Sequence, residues 1–306
     1  MQVGVLRHSA IHSATTLAPV DHGPCVDDTP GIMDELLKGR IGICLSSGYF
    51  GYYAHCGVMQ AIKEAGIRPV AISGCSAGAV VGALWASGLE DDAIERTLLS
   101  AGWDLLLDPP PFSRLLAAPG GFVRGRRFER ALAEALPVST FEECPIALSV
   151  ITFDLNVGRL RVIDSGPLAR AVRASSSLPG MFSPTPIDGH LCWDGAVAEK
   201  TPVRPLMDRD DVDTVLVCAL PRPARALPPK TIVGGLRVAL DTVIVELDRV
   251  RINQARERGK NVVVFSPTVP PAGPSKMSQG ARIIEVARRE TRRIFAEGDF
   301  RAREPA

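Results

Sequence analysis

The sequence carries almost no net charge. Its 306 residues contain 35 Lys and Arg against 34 Asp and Glu, which gives a formal net charge of +1. Proteins dedicated to nucleic acids are usually strongly basic, so this balance argues against a nucleic-acid partner. Apolar residues form 46% and charged residues 23% of the chain, which is ordinary for a globular protein. The length suits one large α/β domain or two small ones.

The sequence also lacks a CxxC pair. Its seven cysteines are scattered, and several lie in apolar runs, where a reduced thiol behaves as a small hydrophobic side chain. They are Cys25, Cys44, Cys56, Cys75, Cys144, Cys192 and Cys218. This distribution predicts a reducing, cytoplasmic location.

No signal peptide, repeat or domain linker is recognisable. Residues 1–35 have no continuous apolar run and no sustained periodicity, so we interpret them as a loose leader. We expect a single domain over residues 36–300 and a short tail over residues 301–306. No cluster of His, Cys and carboxylate residues has the spacing of a metal site, so neither a metal nor a cofactor is predicted.

What the sequence does contain is a serine at a sharp bend. The apolar run Val70–Ile72 breaks at Gly74-Cys75-Ser76-Ala77-Gly78, and a segment rich in Ala, Val and Leu follows. A strand, a tight turn and a helix with a serine at the turn form a nucleophile elbow. Gly74 and Gly78 would flank Ser76 because a Cβ atom at either position would crowd the turn. The dipole of the following helix would favour negative charge that forms beside the serine.

Two other interpretations of this stretch stay open. The pattern G-x-S-x-G is loose, and it also fits a buried structural turn. The twenty residues from Val70 to Leu89 carry no charge, and Gly74, Gly78 and Gly82 are four residues apart, which also fits a transmembrane helix with a packing face. Pro69 and the several serines disfavour a membrane span.

The order of elements around the elbow predicts a parallel sheet. A strand at Ile41–Leu45, a glycine-interrupted loop, a helix at Ala54–Ala65 and a strand at Ile67–Ser73 form one crossover unit. Right-handed crossovers place both loops at the carboxyl edge of the sheet. Further predicted helices are 90–100, 126–136, 168–174, 231–258 and 275–296. Further predicted strands are 146–152, 159–163, 212–220 and 261–266, and residues 187–193 predict a tight hairpin that ends at Asp194. One sheet with helices on both faces accommodates this order.

A serine nucleophile needs a base, and histidine is scarce. Of five histidines only His190 follows Ser76, as the chain order of α/β-hydrolases requires, so a triad through His190 is one hypothesis. His55 lies in the helix after the glycine loop and is interpreted as structural. Asp194 ends an apolar strand directly before Gly195, and a carboxylate in a partly dry site can act as a base. A plain Asp-Gly turn is the alternative.

Four segments in order resemble the patatin-like phospholipases, whose members use a Ser–Asp dyad. The loop and helix at Leu45–Ile62 resemble the family's oxyanion loop, and GCSAG carries the nucleophile, Ser76. The segment Ala171–Pro184 is similar to the family's Ala- and Ser-rich segment, and Ile187–Val203 resembles the strand that ends in the second dyad member, here Asp194. The resemblance covers roughly residues 40–220.

The resemblance implies a three-layer α/β/α fold with a mostly parallel central sheet. It also implies hydrolysis of lipid acyl esters by Ser76 and Asp194. The family's loop usually has a run of glycines followed by a basic residue, which this chain lacks, and Ala196 stands where a second glycine is usual. Backbone N–H groups of Gly48, Tyr49 and Phe50 would still supply an oxyanion hole.

The alternatives to a hydrolase are a lipid-binding or scaffolding protein that has lost catalysis, and an acyltransferase. The expected partner is a lipid or another acyl ester. The Pro-rich segment 103–121 is interpreted either as a lid or as a stiff connection. Basic residues that could bind anionic headgroups cluster near this segment, so peripheral contact with a membrane is a further hypothesis. The cluster comprises Arg114, Arg124, Arg126, Arg127 and Arg130. The head group, the acyl chain and the oligomeric state are not predicted.

Overall fold

The structure, a computed structural model, describes residues 39–102, 108, 120–221 and 231–300. The predicted leader, the predicted tail, Arg114 and nearly all of the Pro-rich segment lie outside the described residues. The strands are β1 Ile41–Leu45, β2 Pro69–Gly74, β3 Gly121–Val123, β4 Ala147–Asp154, β5 Arg159–Ile163, β6 Gly180–Phe182, β7 Thr185–Ile187, β8 His190–Asp194, β9 Thr214–Cys218 and β10 Asn261–Phe265. The helices are α1 Tyr52–Glu64, α2 Ala77–Ala86, α3 Asp91–Ser100, α4 Arg126–Ala135, α5 Leu168–Ser175, α6 Arg204–Met207, α7 Ile232–Glu257 and α8 Gly280–Glu297.

The central sheet has eight strands and is mostly parallel. Its order is β10-β9-β1-β2-β4-β8-β7, with β5 paired to β4, and β10, β9, β1, β2 and β4 run in the same direction. Leu45 at the end of β1 is level with Gly74 of β2 and with Cys218 of β9. The loops that follow these three strands therefore meet at one edge of the sheet. The predicted α/β class with helices on both faces is confirmed.

Alternation along the strands creates two cores, one on each face of the sheet. In β1, Ile41, Ile43 and Leu45 belong to the larger core, which includes residues of α1, α2 and α8. Cys44 faces the other way, into a smaller core with Leu206 of α6 and residues of β9 and α7. This is the period of two that a strand buried on both faces requires.

The transmembrane interpretation of Val70–Leu89 is wrong. The stretch divides into β2 and α2, and its lack of charge reflects burial in the protein core: every residue of α2 is buried. No helix within the described residues is both long and apolar enough to span a bilayer.

Smaller differences concern the boundaries and the shortest elements. The first helix starts at Tyr52, two residues earlier than predicted, and the last helix starts at Gly280 because residues 274–279 form a 3₁₀ turn. The hairpin predicted from Ile187 is β7–β8, and its two turn residues, Asp188 and Gly189, both have positive φ. The parallel pair β3–β6 and the short helix α6 were not predicted.

Candidate active site

Ser76 occupies a strained position between β2 and α2. It caps the amino end of α2 with φ 53° and ψ −116°, a conformation that a residue with a side chain rarely adopts. Its N–H donates to Ser175 Oγ at 3.0 Å, and Ser175 is fully buried at the end of α5. Such strain persists only when the surroundings hold it, and it is concentrated at functional sites.

The glycines that flank Ser76 allow a close approach of backbones. A Cβ atom on Gly78 would lie 2.2 Å from the carbonyl oxygen of Leu45, at the end of β1. A Cβ atom on Gly74 would lie 2.6 Å from the carbonyl oxygen of Gly78. Neither neighbour can give way without a backbone shift, so any larger residue would displace the turn.

Asp194 lies beside the turn, at the end of β8. Its Oδ1 accepts the N–H of Ala196 at 2.9 Å, and the side chain of Ser76 is near enough to the carboxylate to lower its pKa slightly. The side chain is almost fully buried, and this desolvation raises the pKa of Asp194 to about 6. The hydrogen bonds and the charge of Lys200 act in the opposite direction but are outweighed. The carboxylate is therefore a better proton acceptor than an ordinary aspartate.

The loop after β1 is anchored at its start. Ser47 N–H donates to the carbonyl of Lys200 at 2.7 Å, and His55 Nε2 lies 2.7 Å from the carbonyl oxygen of Ser46. Burial lowers the pKa of His55 to about 4, so the imidazole is neutral and Nε2 carries the donated hydrogen.

The predicted oxyanion residues follow directly after these anchors. Gly48, Tyr49 and Phe50 all line the same cavity as Ser76, and Phe50 has a positive φ of 54°. Within the described part of the chain, their N–H groups donate to no other backbone group. These three main-chain N–H groups are therefore candidates to donate hydrogen bonds to a ligand in the cavity.

Ser76 and Asp194 open into a large cavity of about 1520 Å³. Its walls come from both faces of the sheet. Val80, Leu84 and Leu132 belong to the larger core, whereas Ile252 and Val264 pack against the smaller one. The cavity therefore wraps over the carboxyl edge of the sheet, where the turn with Ser76 sits, and its walls are mainly apolar.

The structure does not bring His190 to Ser76. His190 begins β8, four residues before Asp194, which is about 13 Å along a strand. Its Nδ1 lies 2.7 Å from Asp154 Oδ2, and it does not line the cavity. The geometry therefore does not support a triad through His190. His55 is not a base for Ser76 either, because its Nε2 contacts the main-chain carbonyl of Ser46.

Cys75, the neighbour of Ser76, points away from the cavity. It is fully buried, and burial raises the pKa of its thiol well above the usual value. Its Sγ lies 3.6 Å from Asp194 Oδ1 and 3.6 Å from the carbonyl oxygen of Glu199. The thiol thus contacts the carboxylate from behind.

Comparison with known proteins identifies the family. The family model described as patatin-like phospholipase matches residues 43–207, more than half of the chain and the part that contains Ser76 and Asp194. The chain belongs to the patatin-like phospholipase family.

Relatives of this patatin-like chain include an uncharacterized NTE family protein of Mycobacterium tuberculosis, 33% identical over 174 residues that cover 55% of the chain and 45% of the relative. Lysophospholipase NTE1 of Cryptococcus neoformans is 31% identical over 203 residues, which cover 63% of the chain and 12% of the relative. The chain thus spans less than half of each of these relatives. Among solved structures, VipD from Legionella pneumophila aligns with a TM-score of 0.46 at 15% identity and covers 84% of this chain and 67% of VipD.

Three contacts of the patatin-like site were not foreseen from the sequence. Ser175 holds the main chain of Ser76, and Lys200 holds the main chain of Ser47. Asp248 of α7 in turn accepts the N–H groups of Lys200 and Thr201 at 3.1 and 3.3 Å. The sequence carried no signal for Asp248, which is one of several charged residues on this long amphipathic helix.

No group of three or more His, Cys, Asp or Glu residues placed to hold a metal ion occurs among the residues that the structure describes.

Proposed function

We propose that the protein hydrolyses acyl esters of lipids through an acyl-serine intermediate, with Ser76 as nucleophile and Asp194 as base. The observation that carries this proposal is the pairing of a strained serine with a buried carboxylate at the edge of a large apolar cavity. The reaction would take place within the single domain predicted over residues 36–300.

Acylation begins when Ser76 Oγ attacks the carbonyl carbon of the ester and its proton passes to Asp194. A carboxyl with a pKa of about 6 is ionised at neutral pH yet close enough in basicity to take this proton. The carbonyl oxygen becomes an oxyanion, to which the N–H groups of Gly48, Tyr49 and Phe50 would donate. The intermediate then expels the alcohol oxygen, which takes the proton from Asp194, and the acyl group stays on Ser76.

Deacylation repeats these steps with water. Asp194 removes a proton from the water, the resulting hydroxide oxygen bonds to the acyl carbon, and Ser76 Oγ leaves and recovers the proton. The products are a fatty acid and the free enzyme.

A lipid substrate is supported by the cavity and by the family. Apolar walls on both sides of Ser76 suit hydrocarbon chains, whose burial stabilises a complex in proportion to apolar area. Membership of the patatin-like phospholipase family and a relative named lysophospholipase support the same class of substrate.

Labelling with a fluorophosphonate probe, followed by mass-spectrometric mapping, tests the mechanism. We expect a covalent adduct on Ser76, none in Ser76→Ala, and much slower labelling of Asp194→Asn because an amide cannot accept the serine proton. Cys75→Ala is the matched control: it also contacts Asp194 but should be labelled nearly as fast as the unsubstituted protein. Release of free fatty acid from a lysophospholipid is measured in parallel.

Two results would overturn the proposal. An adduct on Cys75 would exclude Ser76 as the nucleophile. Labelling at the same rate in Asp194→Asn would exclude the carboxylate as the base.

A further inference from the structure

The long helix α7 exposes a continuous row of large apolar side chains. We call Ile232, Leu236, Leu240, Val243, Leu247 and Val250 the α7 stripe. Their exposed fractions range from 37% to 92%. Since successive members are three or four residues apart, they lie along one side of the helix. Among the α7 side chains that the structure describes, only Ile244, Asp248 and Ala255 are buried.

The α7 stripe is continuous with the mouth of the cavity. Leu236 and Leu240 are exposed and also line the cavity that contains Ser76. Four further apolar side chains share both properties and come from separate parts of the chain: Tyr49, Leu178, Met181 and Val197. The mouth thus has an exposed apolar rim, and the α7 stripe extends this rim along the helix. Soluble proteins rarely expose large continuous apolar patches unless they bind something there.

We propose that the α7 stripe and this rim dock the protein on the surface of a phospholipid bilayer, with the apolar side chains inserted among the acyl chains. The proposal rests on the proposed function, because the bilayer would supply the lipid that enters the cavity. An amphipathic helix at an interface binds through just such a face.

A second copy of the chain is the competing occupant, since intervals of four and three residues also suit a helix-to-helix seam. A seam would cover α7 alone and would hide Leu236 and Leu240 at the mouth. It would leave the exposed side chains of the loop at Tyr49 and of the turn at Leu178 uncovered. A bilayer covers the rim and the stripe together and keeps the mouth in contact with substrate.

The contact is hydrophobic in nature. The chain has a formal net charge of only +1, and all six members of the α7 stripe are uncharged. Binding should therefore occur on neutral vesicles and should survive high salt, which screens charge attraction but not the burial of apolar area.

Sedimentation with phosphatidylcholine vesicles tests the proposal. The full chain carries Ser76→Ala so that the vesicles stay intact. The test variant replaces Val243→Ser, Leu247→Gln and Val250→Ser, none of which lines the cavity. The control variant replaces three apolar side chains of comparable exposure, also outside the cavity lining, with the same residue types: Val70→Ser, Leu191→Gln and Val157→Ser.

We expect the test variant to bind vesicles at least about tenfold more weakly than the control variant, because only the former removes apolar area from the docking face. Loss of binding at high salt without any substitution would overturn the proposal, as would equal binding of the two variants. So would a dimer that the test variant dissociates, combined with no vesicle binding by the parent protein.

Hydrolysis of a water-soluble short-chain ester, measured with Ser76 present, separates this proposal from the previous one. The test variant should keep that hydrolysis while losing hydrolysis of vesicle phospholipid. If no version cleaves the soluble ester, the proposed function fails, and the vesicle-binding comparison still decides the docking surface.

Discussion

Replacing Asp194 by Asn should remove activity and yet make the protein more stable at neutral pH. Burial holds the pKa of Asp194 at about 6 in the folded protein, against an ordinary value of 3.8. A raised pKa means that folding favours the protonated form. The contribution of Asp194 to stability is therefore complete below about pH 4 and is lost as the pH rises through about 6. A difference of about two pKa units corresponds to about 3 kcal/mol.

Asparagine avoids this loss because it never ionises. Its Oδ1 can still accept from Ala196, and its amide can donate to Ser76. Urea unfolding of Asp194→Asn and of the parent protein at about pH 4 and about pH 8 should show that the advantage of Asn is about 2 to 3 kcal/mol larger at the higher pH. All other groups titrate in both proteins, so their contributions cancel.

Asp213→Asn is the control for this measurement. The pKa of Asp213 is lowered to about 2 by its hydrogen bonds with Arg40, so its titration lies below the pH range compared. The effect of that substitution should be nearly the same at both pH values.

The same pKa predicts the pH dependence of turnover. In the parent protein, kcat/KM for a soluble ester should fall about tenfold per pH unit below about pH 6, as Asp194 becomes protonated. Asp194→Asn should lower kcat by at least about 10³-fold at every pH. If Asp194→Asn is inactive but its stability advantage over the parent protein is the same at pH 4 and pH 8, the inference that burial disfavours the ionised carboxylate is refuted.

Further predictions concern the turn, a second buried carboxylate and the histidines. Gly78→Ala should destabilise the protein by at least about 2 kcal/mol in urea unfolding and lower activity, because the new Cβ atom meets a backbone carbonyl. Gly82→Ala on the same helix is the control: its Cβ atom meets only side chains, so stability should change by less than about 1 kcal/mol. Burial raises the pKa of Glu199 to about 7. Glu199→Gln should therefore become more stable than the parent protein as the pH rises from about 5 to about 8, and it should keep ester hydrolysis. A stability difference that does not change with pH would contradict this. His190→Ala and His55→Ala should each keep measurable hydrolysis if folded. If His190→Ala is as inactive as Ser76→Ala, the dyad assignment is wrong.

The sequence predicted the parts of the fold that local patterns encode. The apolar runs Ile41–Leu45 and Val70–Ile72 are separated by one segment of helical periodicity. This order was enough to indicate parallel strands whose loops lie at one edge of the sheet. The resemblance in GCSAG and around Asp194 selected the two side chains that the fold brings together, although their catalytic roles remain predictions.

Features that depend on long-range packing were not predictable in the same way. β3 and β6 have three residues each, and they pair only because the tertiary fold brings residues 121–123 and 180–182 together. The contacts of Asp248 with Lys200 and Thr201 join residues 48 and 47 positions apart. Nor could the raised pKa of Asp194 be inferred from sequence, since it arises from burial that only the assembled sheet provides.

The anchoring of the loop after β1 has a consequence for how its sequence can vary. Ser46 and Ser47 donate their N–H groups to the main-chain carbonyls of Cys218 and Lys200, and His55 contacts the main-chain carbonyl of Ser46. Since the acceptors are backbone atoms, these hydrogen bonds do not depend on the side chains at positions 200 and 218. Nor do they depend on the loop's own side chains, because any residue other than proline supplies an N–H. The main-chain donors proposed for the oxyanion therefore do not require the glycines and the basic residue that the family's loop usually has.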